Sequence, residues 1–237
     1  NVFNWTYNNI ECLTQETIVN IVNSNGNKYV FNNGSTYNSD LHYGLTDISY
    51  VFKNIPSNHP MALLNNDISN LISYSVDDTN PIIIKVSGGN FTSPYYTFND
   101  ENNNIIDIVN FELMRNRSYQ FIADGIYSNH PFKIFVNNSF TNIISGSNGT
   151  IDFKINSNHS LLTGDLFYQC DNHSSMKIDL SLLNRNVTNT TADANYDFYY
   201  GDVSINVSGD FSNISVYCYY HGYMGGENLL EYNTLCN

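Results

Sequence analysis

The chain has 237 residues, with nine Lys and Arg against 22 Asp and Glu, giving a net charge of −13. That charge would repel nucleic acid and anionic lipid instead of releasing counterions from them, so no nucleic-acid partner is expected. No window approaches 18 consecutive apolar residues, which excludes a membrane-spanning helix, and the opening Asn1-Val2-Phe3-Asn4-Trp5 lacks the basic and apolar regions of a signal peptide, so the chain reads as mature and soluble.

Charged residues make up 13% of the chain while Tyr and Phe number 19 and 14, a composition that favours strands. Along the chain, residues 16–23 carry the one helical period, with Thr14 as a candidate cap. Strand signals bounded by Asn, Gly and Ser follow at 28–32 and 48–53, and then comes the motif Ser57-Asn58-His59-Pro60 with its apolar run Met61-Ala62-Leu63-Leu64. Further strands are expected at 82–86, 95–98 and 118–123. The same motif then recurs as Ser128-Asn129-His130-Pro131, followed by a strand at 132–136. Strands at 150–155 and 166–170 lead into Cys170-x-x-His173-x-x-Met176. After the Asn- and Thr-rich stretch 184–195, which reads as a linker, strands at 202–207 and 214–219 lead into Cys218-x-x-His221-x-x-Met224.

The two repeats organise the chain. His130 and Cys170 stand 40 positions apart, which one compact sandwich spans, whereas His59 and Cys218 stand 159 apart with the self-sufficient unit between them. The economical reading is an insertion at an exposed loop. Residues 1–24 form an N-terminal segment, 25–78 plus 194–232 a discontinuous first domain, 79–185 an inserted second domain, and 186–193 the linker.

A thiolate, two imidazoles and a weak thioether suit copper cycling between its two oxidation states, because soft sulfur stabilises Cu(I) while imidazole accepts either state. One Cys has a chance of roughly 0.04% of meeting His at +3 and Met at +6 in this composition, so two such hits among four cysteines are a strong signal. The competing reading is of buried cysteines and histidines that hold no metal.

This arrangement resembles the cupredoxins, the blue-copper family that includes plastocyanin, amicyanin and pseudoazurin; the short C-x-x-H-x-x-M loop matches amicyanin. The resemblance implies an all-β fold of two Greek-key β-sandwiches, one inserted into a loop of the other, and two copper ions. The ligands it implies are His59, Cys218, His221 and Met224 in the first domain, and His130, Cys170, His173 and Met176 in the second. The chain departs from the family where Pro60 and Pro131 follow the first His, since plastocyanin-like sequences commonly place there an Asn that ties the ligand loops together.

Of three pairings open to four cysteines, Cys12–Cys236 is preferred over a redox disulfide between Cys170 and Cys218, because the latter two have a better use; such a bond requires an oxidising compartment. His42 and His159 have no Cys or Met at ligand spacing and receive no role. Twelve N-x-Ser/Thr sequons occur, roughly twice the chance number. N-linked glycans are expected at Asn4, Asn33, Asn90, Asn116, Asn137, Asn148, Asn158, Asn186, Asn189, Asn206 and Asn213. Asn172, inside the Cys170 loop, is expected to stay unmodified because a glycan there would crowd His173.

Multicopper enzymes add metal through histidines beside the Cys and through H-x-H pairs, and the chain has neither: Gln169 and Asp171 flank Cys170, and Tyr217 and Tyr219 flank Cys218. The expectation is a non-enzymatic copper-binding or electron-transfer glycoprotein with a redox protein partner. It would be secreted or lie on an extracellular surface of a cell or virion. The alternative is a glycosylated surface or fibre-forming protein that self-associates and uses the sandwiches as scaffold.

Overall fold

The computed structural model describes residues 9–157, 161, 163–188 and 193–236. Every regular element among them is a β-strand, and no helix long and apolar enough to cross a membrane occurs there. The chain divides into two compact units, one of residues 1–77 with 184–237 and one of residues 78–183, so the second is continuous and lies between the two parts of the first along the sequence.

In the larger unit one sheet runs, in hydrogen-bonded order, Asn9–Cys12, Leu41–Leu45, Leu230–Tyr232, Asn213–Cys218 and Gly222–Tyr223, with Met61–Leu64 also paired to Asn213–Cys218. The other runs Glu16–Ile18, Ser49–Ile55, Gly201–Val207 and Ile72–Val76. Phe31 joins the two interiors: its ring lies 4.9 Å from that of Tyr43 on the first sheet and 5.0 Å from that of Phe52 on the second. Strand Ser49–Ile55 shows why one face turns inward, since Tyr50 and Phe52 are buried while Ser49, Val51 and Lys53 are not, the period of two that a half-buried strand requires; at Asn54, whose φ is +64°, the alternation breaks and Ile55 is buried instead.

The smaller unit repeats the plan with fewer strands. One sheet is ordered Tyr96–Asn99, Ile82–Gly88, Ser118–Ile126 and Thr150–Lys154, and the other Ser139–Phe140, Phe132–Val136, Leu166–Cys170 and Lys177–Asp179. Their facing side chains make one apolar cluster, in which Phe132 meets Tyr96, Phe98, Phe121 and Tyr168 at ring separations of 5.2, 6.0, 6.1 and 5.4 Å. Aromatic pairs at such separations add about 0.5–1.5 kcal/mol each beyond the area they bury. Both units are thus sandwich-like all-β folds.

Three expectations need correction. Residues 16–23 are not helical: Glu16–Ile18 pairs parallel with Ser49–Ile55, and Asn20–Asn23 pairs antiparallel with Asn27–Val30. Thr17, Ile18, Val19, Ile21 and Val22 are β-branched, and a neighbouring strand offers them a pleated surface that suits their stiff side chains better than a helix would. Residues 9–24, set apart above as an N-terminal segment, therefore supply strands to the larger unit. Of the expected linker 186–193, residues 186–188 and 193 belong to strands, because Asn184–Thr188 pairs antiparallel with Asp193–Asp197 and buries Val187 and Tyr196; residues 189–192 lie outside the described residues.

Cys12 and Cys236 are disulfide-bonded, while Cys170 and Cys218 are free and buried. Gly44 makes room for the bridge, since a Cβ built there would stand 2.6 Å from Cys236 Sγ. Among the sequons, Asn33, Asn90, Asn137, Asn148, Asn186, Asn206 and Asn213 are exposed and Asn116 is half-buried; Asn4, Asn158 and Asn189, like His159, lie outside the described residues.

Candidate metal centres

Each centre grows from one antiparallel strand pair. In the larger unit Cys218, the last residue of its strand, lies opposite Met61; in the smaller, Cys170 ends its strand opposite Phe132. Met61 and Phe132 are the residues that follow the two His-Pro pairs, so this register sets each His beside its Cys. A tight turn fixes the approach, with His59 N–H donating to the Pro56 carbonyl at 2.9 Å and His130 N–H to the Tyr127 carbonyl at 2.8 Å. The proline carbonyls then accept from beyond the cysteines, Pro60 from Tyr219 N–H at 2.9 Å and Pro131 from Asp171 N–H at 2.8 Å.

On the far side the chain turns back at once. Met176 N–H donates to the His173 carbonyl and Cys170 N–H to the Met176 carbonyl, both at 3.0 Å, while Cys218 pairs with Gly222. His173 and His221 are thereby carried onto the sulfurs from the other side, His173 half-buried and His221 exposed. Met176 and Met224 come from the same two loops, and both are buried.

The donor atoms gather alike in the two units. Cys218 Sγ lies 3.8 Å from His59 Nδ1 and 3.4 Å from His221 Nδ1; Cys170 Sγ lies 3.8 Å from His130 Nδ1 and 3.4 Å from His173 Nδ1. Imidazole centroids are 4.7 Å apart in both, and His59 Nδ1 and His221 Nδ1 are 3.2 Å apart. Three donors that share a cation at about 2.0–2.3 Å stand roughly 3.3–3.8 Å from one another, so the donors fit one ion per unit. Each His-Cys-His group could hold a metal ion. No protein-family model matches the chain, and no curated protein or solved structure is significantly similar to it.

The surroundings of the two centres differ. Burial first, and then the nearby His221, hold His59 below the usual imidazole range, which keeps its ring neutral and its lone pair available. Its outer nitrogen, Nε2, lies 3.5 Å from the Asn27 side-chain amide. In the smaller unit an exposed ring takes the outer place: Phe91 stands edge-on to both His130 and His173, at 5.1 and 5.2 Å. Asn172, between Cys170 and His173, has its side-chain Nδ2 donated to the Asn129 carbonyl at 3.1 Å, which engages the nitrogen a glycan would need.

Sequence reasoning missed several residues of these sites. Tyr29 and Tyr96 are buried behind the two centres and donate to the His59 and His130 carbonyls at 2.8 and 3.0 Å. Burial first, and then the neighbouring cysteine, push both phenols well above their ordinary value, so their hydroxyls stay protonated donors. The available signal was a third repeat, Tyr29-Val30-Phe31 and Tyr96-Thr97-Phe98.

Gly89 was also missed. Its φ is +117°, and a Cβ built there would stand 2.7 Å from His130 Cβ. Gly89→Ala is expected to add about 1–3 kcal/mol of backbone strain and to push His130 off its position. Metal content of the smaller unit should fall while the larger unit keeps its ion; two ions per chain in the variant would refute the assignment of Gly89.

Proposed function

We propose that the chain is a cupredoxin-like copper-binding glycoprotein of an extracellular compartment, with two mononuclear centres that serve electron transfer. His59, Cys218, His221 and Met224 would hold one copper ion, and His130, Cys170, His173 and Met176 the other. The observation that carries the reading is the duplicated donor triangle, with sulfur-to-nitrogen edges of 3.8 and 3.4 Å in both units. Two imidazoles and a thiolate suit copper in either oxidation state, which is what one-electron chemistry requires of a site.

The protein's own groups divide the work. The buried cysteines and the tight turns around His59 and His130 hold the donors at fixed separations, so little rearrangement accompanies a change of charge. His221, exposed, brings one centre to the surface of its unit. Phe91 stands edge-on to both His130 and His173 of the other. The Cys12–Cys236 disulfide supports an oxidising compartment, and the exposed sequons support N-glycosylation.

The test is reconstitution of the reduced, metal-free chain with copper, followed by oxidation. Two copper ions per chain and an intense visible thiolate-to-copper absorption are expected. A colourless protein, or one that takes up zinc but no copper, would end the copper reading.

One observation favours a second reading, a structural role in a surface assembly. Among the described residues, six of the eight exposed large apolar side chains, Phe91, Ile105, Val109, Tyr127, Phe140 and Ile143, belong to the smaller unit, and Tyr220 and Leu235 to the larger. Sedimentation at high concentration that finds monomers alone would remove it.

A further inference from the structure

The residue after each first histidine is proline, Pro60 or Pro131, which offers no hydrogen-bond donor of its own. Some other group must hold the His-Pro turn against the cysteine strand, and the structure places the same group there twice. Tyr29, on strand Asn27–Val30 of the larger unit, and Tyr96, on strand Tyr96–Asn99 of the smaller, are 0% and 3% exposed. Tyr29 Oη donates to the His59 carbonyl at 2.8 Å with the Pro60 carbonyl at 3.5 Å. Tyr96 Oη donates to the His130 carbonyl at 3.0 Å with the Pro131 carbonyl at 3.2 Å.

Each hydroxyl thus meets the two carbonyls of the turn, and the proline carbonyl also accepts the N–H of the residue after the cysteine. The tyrosines precede their histidines by 30 and 34 residues, so the device is duplicated with the ligands.

We propose that Tyr29 and Tyr96 are the positioning residues of the two metal centres, each pinning its His-Pro turn against the strand that ends in its ligand cysteine. This rests on the metal-binding reading above. Without the hydroxyl the buried His carbonyl loses this donor and the ligand histidine loses its fixed place beside the sulfur; loss of a partner behind a metal ligand typically costs about 10–100-fold in affinity. Removing the O–H while keeping the ring should therefore weaken copper binding at that centre and leave the other centre as an internal control.

The experiment uses the full chain as wild type, Tyr29→Phe, Tyr96→Phe and the double variant, each titrated with copper and followed by visible spectroscopy. Each single variant should still bind two ions at saturation. In its own centre alone the copper affinity should fall about tenfold, with a displaced charge-transfer band. The double variant should shift both centres.

A second measurement needs no metal. Amide exchange in the metal-free Tyr29→Phe chain should lose at least about tenfold protection at Tyr219 N–H, which is bonded to the Pro60 carbonyl, while strand Ser49–Ile55 keeps its protection. Unchanged affinities and bands in the variants would overturn the proposal and leave the copper reading standing, and so would a uniform loss of protection through the unit. A wild-type chain that binds no copper would overturn the copper reading and the claim about affinity together, with the exchange result still deciding the pinning.

Discussion

Cys218→Ala is expected to remove the metal from the larger unit and about half of the visible absorption of the copper-loaded chain, and Cys170→Ala to do the same for the smaller. Each sulfur is the one donor that both imidazoles of its centre face, at 3.4 and 3.8 Å, and each is fully buried, so no other group can take its place. Loss of an outer-shell partner typically costs 10–100-fold in metal affinity, and loss of the thiolate itself should exceed about 100-fold. The fold should survive, because exchanging a buried thiol for a methyl removes little volume and costs on the order of 1 kcal/mol. All three His and Cys donors of a centre come from one compact unit, so the two losses should be independent. Elemental analysis checks this directly: one ion per chain in each variant is the expected result, and two ions in either would remove that cysteine from the ligand set.

Cys12→Ala with Cys236→Ala is expected to destabilise the larger unit by up to about 5 kcal/mol, the chain-entropy value for a cross-link that closes so long a loop. The bridge joins residues 224 apart in sequence. A smaller unit that stays folded shortens the effective loop about twofold, and this lowers the value by only about 0.6 kcal/mol because the entropy depends on the logarithm of loop length. The bridge also sits at the ends of paired strands: Cys12 lies opposite Gly44, and Asn233, three residues before Cys236, donates to the Leu45 carbonyl. Denaturant unfolding followed by probes in each unit should show the transition of the larger unit moving to lower concentration and that of the smaller unchanged. Equal shifts of both transitions, or none, would contradict the prediction.

Much of the fold was legible from local pattern. The strands expected at 132–136 and 166–170 coincide with Phe132–Val136 and Leu166–Cys170, and the expected start at 118 coincides with that of Ser118–Ile126, because alternation and β-branched or aromatic content are properties of a few neighbouring residues. Strand Leu41–Leu45 was not legible. It contains Gly44, a poor strand former, yet it pairs parallel with both Asn9–Cys12 and Leu230–Tyr232, and a Cβ at Gly44 would meet Cys236 Sγ. Residues 16–23 misled in reverse: Glu16–Ile18 is claimed by a strand more than 30 residues away, while Asn20–Asn23 folds back on the adjacent Asn27–Val30.

For the sites, the sequence by itself determined which side chains to look for: His59 and His130 in one repeat, and Cys170, His173, Cys218 and His221 in the other, the six that gather in the two His-Cys-His groups. Repetition of rare residue types survives any folding and needs no geometry to be seen. Only the tertiary structure decided that Cys218 lies opposite Met61 and Cys170 opposite Phe132, which sets the sulfurs beside the imidazoles. It alone placed Tyr29 and Tyr96 behind the turns, Gly89 against His130 and Phe91 over one pair of rings. Tyrosine, glycine and phenylalanine are common residues whose task here is set by what a strand from elsewhere in the chain brings within 3–5 Å, and strand pairing is a choice of register among distant segments that no local pattern encodes.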